Sequence, residues 1–216
     1  MSNYTLEENT KVNIGESTSS KYTIEDGKVI VKNSPMDTLT EEQKEEVNKL
    51  IQAEIDKISA RFTLASEFFA ENAEVDPVEE IEAAAIFEQF DEMIAFTEIH
   101  EGIGLSASQI GITKAYFVYH SEDGRWKLIF NPKYYQMGDG RETYNEGCLT
   151  YPGKVIPVKR YKVITAQYQT WDGEKFERVR KTMRGLEAVI FQHESNHCGF
   201  PLTGGKAKSI TIMTRQ

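Results

Sequence analysis

The run His193-Glu194-Ser195-Asn196-His197 constrains this chain more than any other stretch of its 216 residues. On a helix the two histidines stand four positions apart, one turn above the other on one face, so both imidazoles can reach a single metal ion. Glu194 lies between them, too far round to be an obvious third ligand but well placed to hold a metal-bound water, as in a metal-activated hydrolase. The flanking residues set the orientation. Leu186, Val189, Ile190, His193 and His197 recur at i, i+3, i+4, i+7 and i+11, the apolar stripe of a core-facing helix. That spacing disfavours a solvated helix with two unremarkable histidines. The imidazoles are predicted to point inward, where a metal satisfies both.

Length and composition agree with an enzyme built on one core, since 39 % hydrophobic residues in a chain of this length suffice for it. No apolar run approaches the ~18 residues of a membrane span, and the N-terminus has the character of neither a secretory signal nor an organellar presequence. The cytoplasm is the compartment expected. A net charge of −9 argues against a nucleic-acid surface. Lys154, Lys159, Arg160 and Lys162 are interleaved with apolar residues and read as the outward face of a strand. In that compartment a Cys148–Cys198 disulfide is not expected, so each thiol needs its own account.

Residues 1–20 are polar and predicted to be mobile, with residues 21–216 forming a single catalytic domain that has an extended helical region at about 40–77. Tyr22 to Val31 alternates around Asp26-Gly27, a short hairpin. Thr40 and Gln43 form a capping box, and Val47, Leu50, Ile51, Ile55 and Ile58 mark the inner stripe of a helix to about residue 60, which the stretch from Arg61 to Val75 could extend. A second helix is predicted to open at Asp76-Pro77-Val78-Glu79, with cap, first-turn proline and capping-box glutamate in order, and to carry Ile81, Phe90, Met93 and Ile94 before ending ahead of Gly102.

From Lys114 the period changes to two. Tyr116 to Tyr119 and Trp126 to Phe130 read as a hairpin around Ser121-Glu122-Asp123-Gly124, closed by Asn131-Pro132. Val155-Ile156 with Val158, then Lys162 to Ala166 and a turn at Trp171-Asp172-Gly173, supply further strands before the histidine helix. Helices, then antiparallel strands, then one core helix describe an α+β domain.

Two more segments bear on the site. Glu146-Gly147-Cys148-Leu149-Thr150 follows a Gly-rich loop, and Cys148 is the better third ligand because Cys198, next to His197, points about 100° away around the helix. Taken alone, Cys148 reads more readily as a small buried hydrophobe than as a ligand. In Gly102-Ile103-Gly104-Leu105-Ser106-Ala107-Ser108-Gln109-Ile110-Gly111, small residues allow close backbone approach and the Gln109 carboxamide could donate to a developing oxyanion. By spacing alone, that segment reads at least as well as an ordinary Gly- and Ser-rich turn between a helix and a strand.

In this order, Gly-Ile-Gly-Leu-Ser-Ala-Ser-Gln, Glu-Gly-Cys-Leu-Thr and Gln-His-Glu-Ser-Asn-His resemble the three signature motifs of peptide deformylases. The resemblance runs from about Ile81 to Leu202 and takes in Asn131-Pro132, Tyr151-Pro152-Gly153 and Val158-Lys159-Arg160. It implies antiparallel strands packed around a central C-terminal metal-binding helix, with N-terminal helices. It further implies that Cys148, His193 and His197 bind one divalent metal, Fe(II) or Zn(II), with Ni(II) or Co(II) as further options. Glu194 would be the acid and base, with Gln109 and the Leu149 N–H as oxyanion donors. The substrate implied is an N-formylmethionyl peptide or nascent chain. Such a peptide could lie extended beside Ile103, Gly104 and Gly147 and pair in strand fashion. Val189 and Ile190 could wall its methionine side chain or serve simply as core. The other readings are a metallopeptidase with the same helix motif and a non-catalytic metal-binding homologue.

This chain departs from the family pattern in places. Asn196 stands where an aspartate usually pairs with the arginine matching Arg160, which predicts a less rigid support without loss of chemistry. Ser106 replaces an alanine, Thr150 a serine, and Cys198-Gly199-Phe200 differs after the second histidine. The region from Leu39 to Pro77 is longer than usual and is predicted to add an outer helix. The chain stops nineteen residues after His197, like the short members encoded by bacteriophages, whose compartment would be the host cytoplasm. Weak or no direct ribosome binding is expected, and neither a specific nucleic acid nor a membrane is an expected partner.

Overall fold

Strand β5 (Tyr116–His120) is buried on both sides, and its alternation organises the molecule. Tyr116 and Val118 enter one hydrophobic cluster, Phe117 and Tyr119 another. Helices cover both faces of such a strand. On the first face lie α1 (Glu41–Arg61), α2 (Glu80–Phe87) and α3 (Phe90–Ile99), contributing Ile58, Ala83, Phe90, Met93, Ile94 and Phe96. On the second lies α4 (Gly185–His197), contributing Ala188, Ile190 and Phe191. The computed structural model describes residues 40–66 and 73–200, together with the backbone of β1 (Glu16–Ser17), β2 (Tyr22–Glu25) and β3 (Lys28–Val31).

The main sheet is antiparallel. Its order is β10-β9-β6-β5-β4, with β1 also paired to β6, and the further members are β4 (Gly104–Ser106), β6 (Trp126–Gln136), β9 (Val163–Trp171) and β10 (Phe176–Arg184). A separate ribbon joins β7 (Arg141–Gly147) to β8 (Val155–Tyr161). It closes over α4 through Gln192, whose side chain accepts the Tyr161 N–H at 3.0 Å and donates to the Tyr161 carbonyl at 2.9 Å. The architecture is the α+β arrangement expected, with strands around a central C-terminal helix. Among the described residues no helix is long and apolar enough to cross a membrane.

Local signals account for several elements. The Thr40–Gln43 capping box opens α1, and β2 pairs antiparallel with β3 in the expected hairpin register, Glu25 opposite Lys28. The hairpin turn Asp26-Gly27, the residues of 1–20 other than β1, and Leu202 lie outside the described residues. Helix α1 ends at Arg61 with Phe62 as cap, so the following described residues do not extend it.

Other expectations need correction. The second helical region begins at Glu80, capped by Glu79 in a box with Glu82, because the backbone of Asp76 is already bound to Thr113 and Ala115. It is broken at Glu88-Gln89 into α2 and α3, and Ile81 is exposed. Leu50 of α1 and Leu186 of α4 are exposed as well, so each predicted stripe is one residue too wide. Asn131-Pro132 does not close the hairpin. Strand β6 runs on to Gln136 across a register shift, where Asn131 adopts φ 51° and its side chain binds the Val78 N–H, the Val78 carbonyl and Gln169. Strand β7 replaces the loop expected before Cys148. Arg160 is buried on β8, in contrast to exposed Lys154, Lys159 and Lys162.

Candidate metal centre

Helix α4 buries every residue from Glu187 to His197, so the polar groups of its motif must find partners inside the protein. The His193 and His197 rings lie 5.1 Å apart. Cys148, just past the end of β7, brings its Sγ to 3.2 Å from His197 Nε2. One ligand atom from each of Cys148, His193 and His197 falls within 4.8 Å of the others.

The charge state suits a cation. Burial opposes ionisation of the Cys148 thiol, yet the neighbouring His197 and His193 hold it down to about 4. Burial likewise opposes charge on His193, but Cys148 and Glu146 raise its affinity for a proton. A metal binds the deprotonated forms of these groups, a thiolate and neutral imidazoles, so low thiol affinity for a proton favours it and binding releases any proton held on the rings. The Nδ1 atom of His197 is buried without a hydrogen-bond partner among the described residues. One soft sulfur and two imidazole nitrogens form a donor set for a transition metal or zinc, and the residues present fit such an ion.

Glu146 supports this cluster. Its Oε2 accepts from His193 Nδ1 at 2.8 Å, which leaves Nε2 as the other ring nitrogen of His193. Arg160 grips the same carboxylate with two bonds of 2.7 Å, and burial of Glu146 is outweighed by Arg160 and His193, which hold its carboxyl below the ordinary range. Arg160 also donates to Asn196 Oδ1 at 2.5 Å, while the Asn196 amide donates to the Phe200 carbonyl at 2.7 Å. The ionic part of this support therefore runs between Arg160 and Glu146, and Asn196 completes it as a neutral acceptor.

On the opposite side, Glu194 is 4 % exposed. Burial pushes its carboxyl up, only partly offset by His193, His197 and Ser106. Gln109 sits on a 3-10 turn (Ala107–Ile110) with its Oε1 held by the Ser106 N–H at 2.9 Å. That bond turns Nε2 toward Thr150 Oγ1 at 3.2 Å and Cys148 Sγ at 3.5 Å. Half-buried Leu149 follows Cys148 and packs on the first hydrophobic cluster.

Five of the expected site residues thus converge: Cys148, His193, His197, Glu194 and Gln109. Of the peptide-facing candidates, Ile103 is exposed, Gly104 lies on end strand β4, and a side chain at Gly147 would meet nothing within 4 Å. Val189 and Ile190 are buried, and Ile190 belongs to the second cluster. The support by Glu146 was not anticipated, although Glu146 stands two residues before Cys148 on a strand whose other side chains are mostly exposed. The bond from Ser106 to Glu194 was not anticipated either, because the two are 88 residues apart.

This fold and site define a class of α+β proteins that hold a Cys–His–His cluster beside a buried glutamate. The chain matches the polypeptide deformylase family over residues 71–202. It is 35 % identical over 107 residues to a peptide deformylase of Thermotoga petrophila, a match covering 50 % of this chain and 63 % of that protein. A peptide deformylase of Fusobacterium nucleatum is 30 % identical over 122 residues, covering 55 % and 68 % respectively. The crystal structure of peptide deformylase from Thermotoga maritima superposes with a TM-score of 0.61 at 25 % identity, covering 71 % of this chain and 96 % of that one. That of a Synechococcus elongatus peptide deformylase in complex with actinonin gives 0.55 at 26 % identity, covering 63 % and 73 %. The chain belongs to the peptide deformylase family.

Proposed function

We propose that the protein is a metal-dependent hydrolase that removes the N-formyl group from N-formylmethionyl peptides of nascent proteins. The observation that carries this reading is the convergence of Cys148, His193 and His197 beside Glu194 and Gln109 in a chain of this family. Cys148, His193 and His197 would hold one divalent ion, Fe(II) or Zn(II) first, Ni(II) or Co(II) as substitutes. When bound, that ion supplies Lewis acidity toward water and toward the formyl oxygen.

The chain's own groups do the rest. Glu194 accepts a proton from the attacking water, whose oxygen ends in formate, and returns it to the departing amine as the C–N bond breaks. A carboxyl raised by burial is suited to both halves of that transfer. Gln109 Nε2 and the Leu149 N–H donate to the formyl oxygen as charge develops there, each such donor being worth ~3 kcal/mol. Glu146 and Arg160 fix the His193 ring. A peptide pairs along β4 beside Ile103 and Gly104 and approaches Gly147, with Val189 and Ile190 behind its methionine side chain.

The same reading takes residues 21–216 as one catalytic domain with an added helical region at about 40–77. It places the enzyme in the cytoplasm, with at most weak direct ribosome binding given the net charge of −9. Formate release from formyl-Met-Ala-Ser, with acetyl-Met-Ala-Ser as control and metal measured after anaerobic purification, tests it. The expected result is turnover of the formyl peptide only, abolished in Glu194→Gln with metal retained. Peptide-bond cleavage in place of formate release would favour a metallopeptidase, and no turnover of either kind a metal-binding homologue.

A further inference from the structure

We propose that Ser106 is a positioning residue for Glu194, its hydroxyl holding Oε2 so that Oε1 is the oxygen left to exchange protons. This rests on the reading of Glu194 as proton carrier. Ser106 is fully buried, and its Oγ lies 2.8 Å from Glu194 Oε2 and 3.1 Å from the Glu194 backbone carbonyl. A hydroxyl has one proton to give. The carbonyl already accepts the Cys198 N–H at 3.1 Å, so the proton goes to the nearer acceptor, the side-chain oxygen Oε2. Among the described residues no other side chain hydrogen-bonds the Glu194 carboxylate.

Two further contacts give the bond a direction. A lone pair of the same Oγ accepts the Gln109 N–H, while Gln109 Oε1 accepts the Ser106 N–H at 2.9 Å. One hydroxyl therefore ties the proton carrier to the turn that aims the oxyanion donor. Glu194 Oε1 meanwhile stands over Gly104, where a Cβ would come within 2.5 Å of it. The terminal torsion of a glutamate is broad, and among the described residues no side chain other than Ser106 hydrogen-bonds either carboxylate oxygen to select which faces which way. Gly104 clears the space and Ser106 selects the orientation.

The test compares wild type, Ser106→Ala and the near-isosteric Ser106→Cys. It measures kcat, KM, bound metal and melting temperature, and determines crystal structures of all three. The expected result is a fall of about tenfold in kcat, the effect of one lost buried hydrogen bond. KM should stay within about twofold, as for an interaction that acts in the transition state. Metal content should be unchanged, with the Glu194 carboxylate turned or split between orientations. A kcat equal to wild type, a fall that follows loss of metal, or an unmoved Glu194 overturns the proposal. Should wild type release no formate, the deformylase reading fails, while the orientation of Glu194 in the three structures still decides the role of Ser106.

Discussion

Helix α1 fully buries Ile58 alone, whereas α4 buries every residue from Glu187 to His197. The first is held together by its own sequence: a capping box at Thr40, acidic residues in the first turn, Arg61 in the last, and ion pairs Lys44–Glu41, Lys49–Glu45 and Lys57–Glu54. It touches the body mainly through Ile58 and Phe62, whose ring meets that of Phe96. The second has no side-chain cap, and its polar groups are answered from β4, β7, β8 and the 3-10 turn. Locally specified helices tolerate change; a helix specified by its neighbours transmits every change to the site.

That contrast can be broken at graded points. Cys148→Ala removes the sulfur from the cluster and is expected to abolish metal binding and formate release together, measured by elemental analysis and a formate assay. Glu146→Gln leaves Arg160 without its counter-charge and His193 without its carboxylate. Metal affinity should fall by about 10–100-fold, read by competition with a chelator.

Glu187, in the first turn of α4, sharpens the comparison through pH. Burial opposes its charge, but Lys181, Ser121 and Tyr119 hold its carboxyl below the ordinary 4.5. A depressed carboxyl contributes stability that is complete above about pH 4.5 and is lost as the pH falls through the folded value. Thermal unfolding followed from pH 7 to pH 3 should decline on the acid side, and less steeply in Glu187→Gln. The smallest effect belongs to α1. Thr40→Ala should lower stability by ~1 kcal/mol in denaturant unfolding and leave formate release unchanged.

Much of this architecture was legible from residue order because the signals were short-range. The Thr40 box, the hairpin register of β2 and β3 and the turn at Ser121–Gly124 depend on neighbours within a few positions. The errors fell where a distant group intervened. Asp76 reads as a helix cap until its backbone is found bound to Thr113 and Ala115, and Asn131-Pro132 reads as a strand end until Asn131 is found holding Val78. Arg160 reads as an outward cation because its counter-charge, Glu146, lies on the paired strand. In the site, the two histidines were legible as candidate ligands because their spacing on one helix restricts what they can do; Cys148, off that helix, and the supports of the cluster were not fixed by local order.

By itself the amino-acid order determined that two imidazoles one helical turn apart could reach one cation, a property of local geometry, while Cys148 was joined to them through the resemblance of its segment to the family's motif. Only the tertiary structure decided that Glu146 holds His193, that Arg160 holds Glu146, and that Ser106 meets Glu194 across 88 residues. The physical reason is burial. A charge taken out of water must be met by whichever group the packing brings to it, and that group is named by the fold, not by its place in the chain.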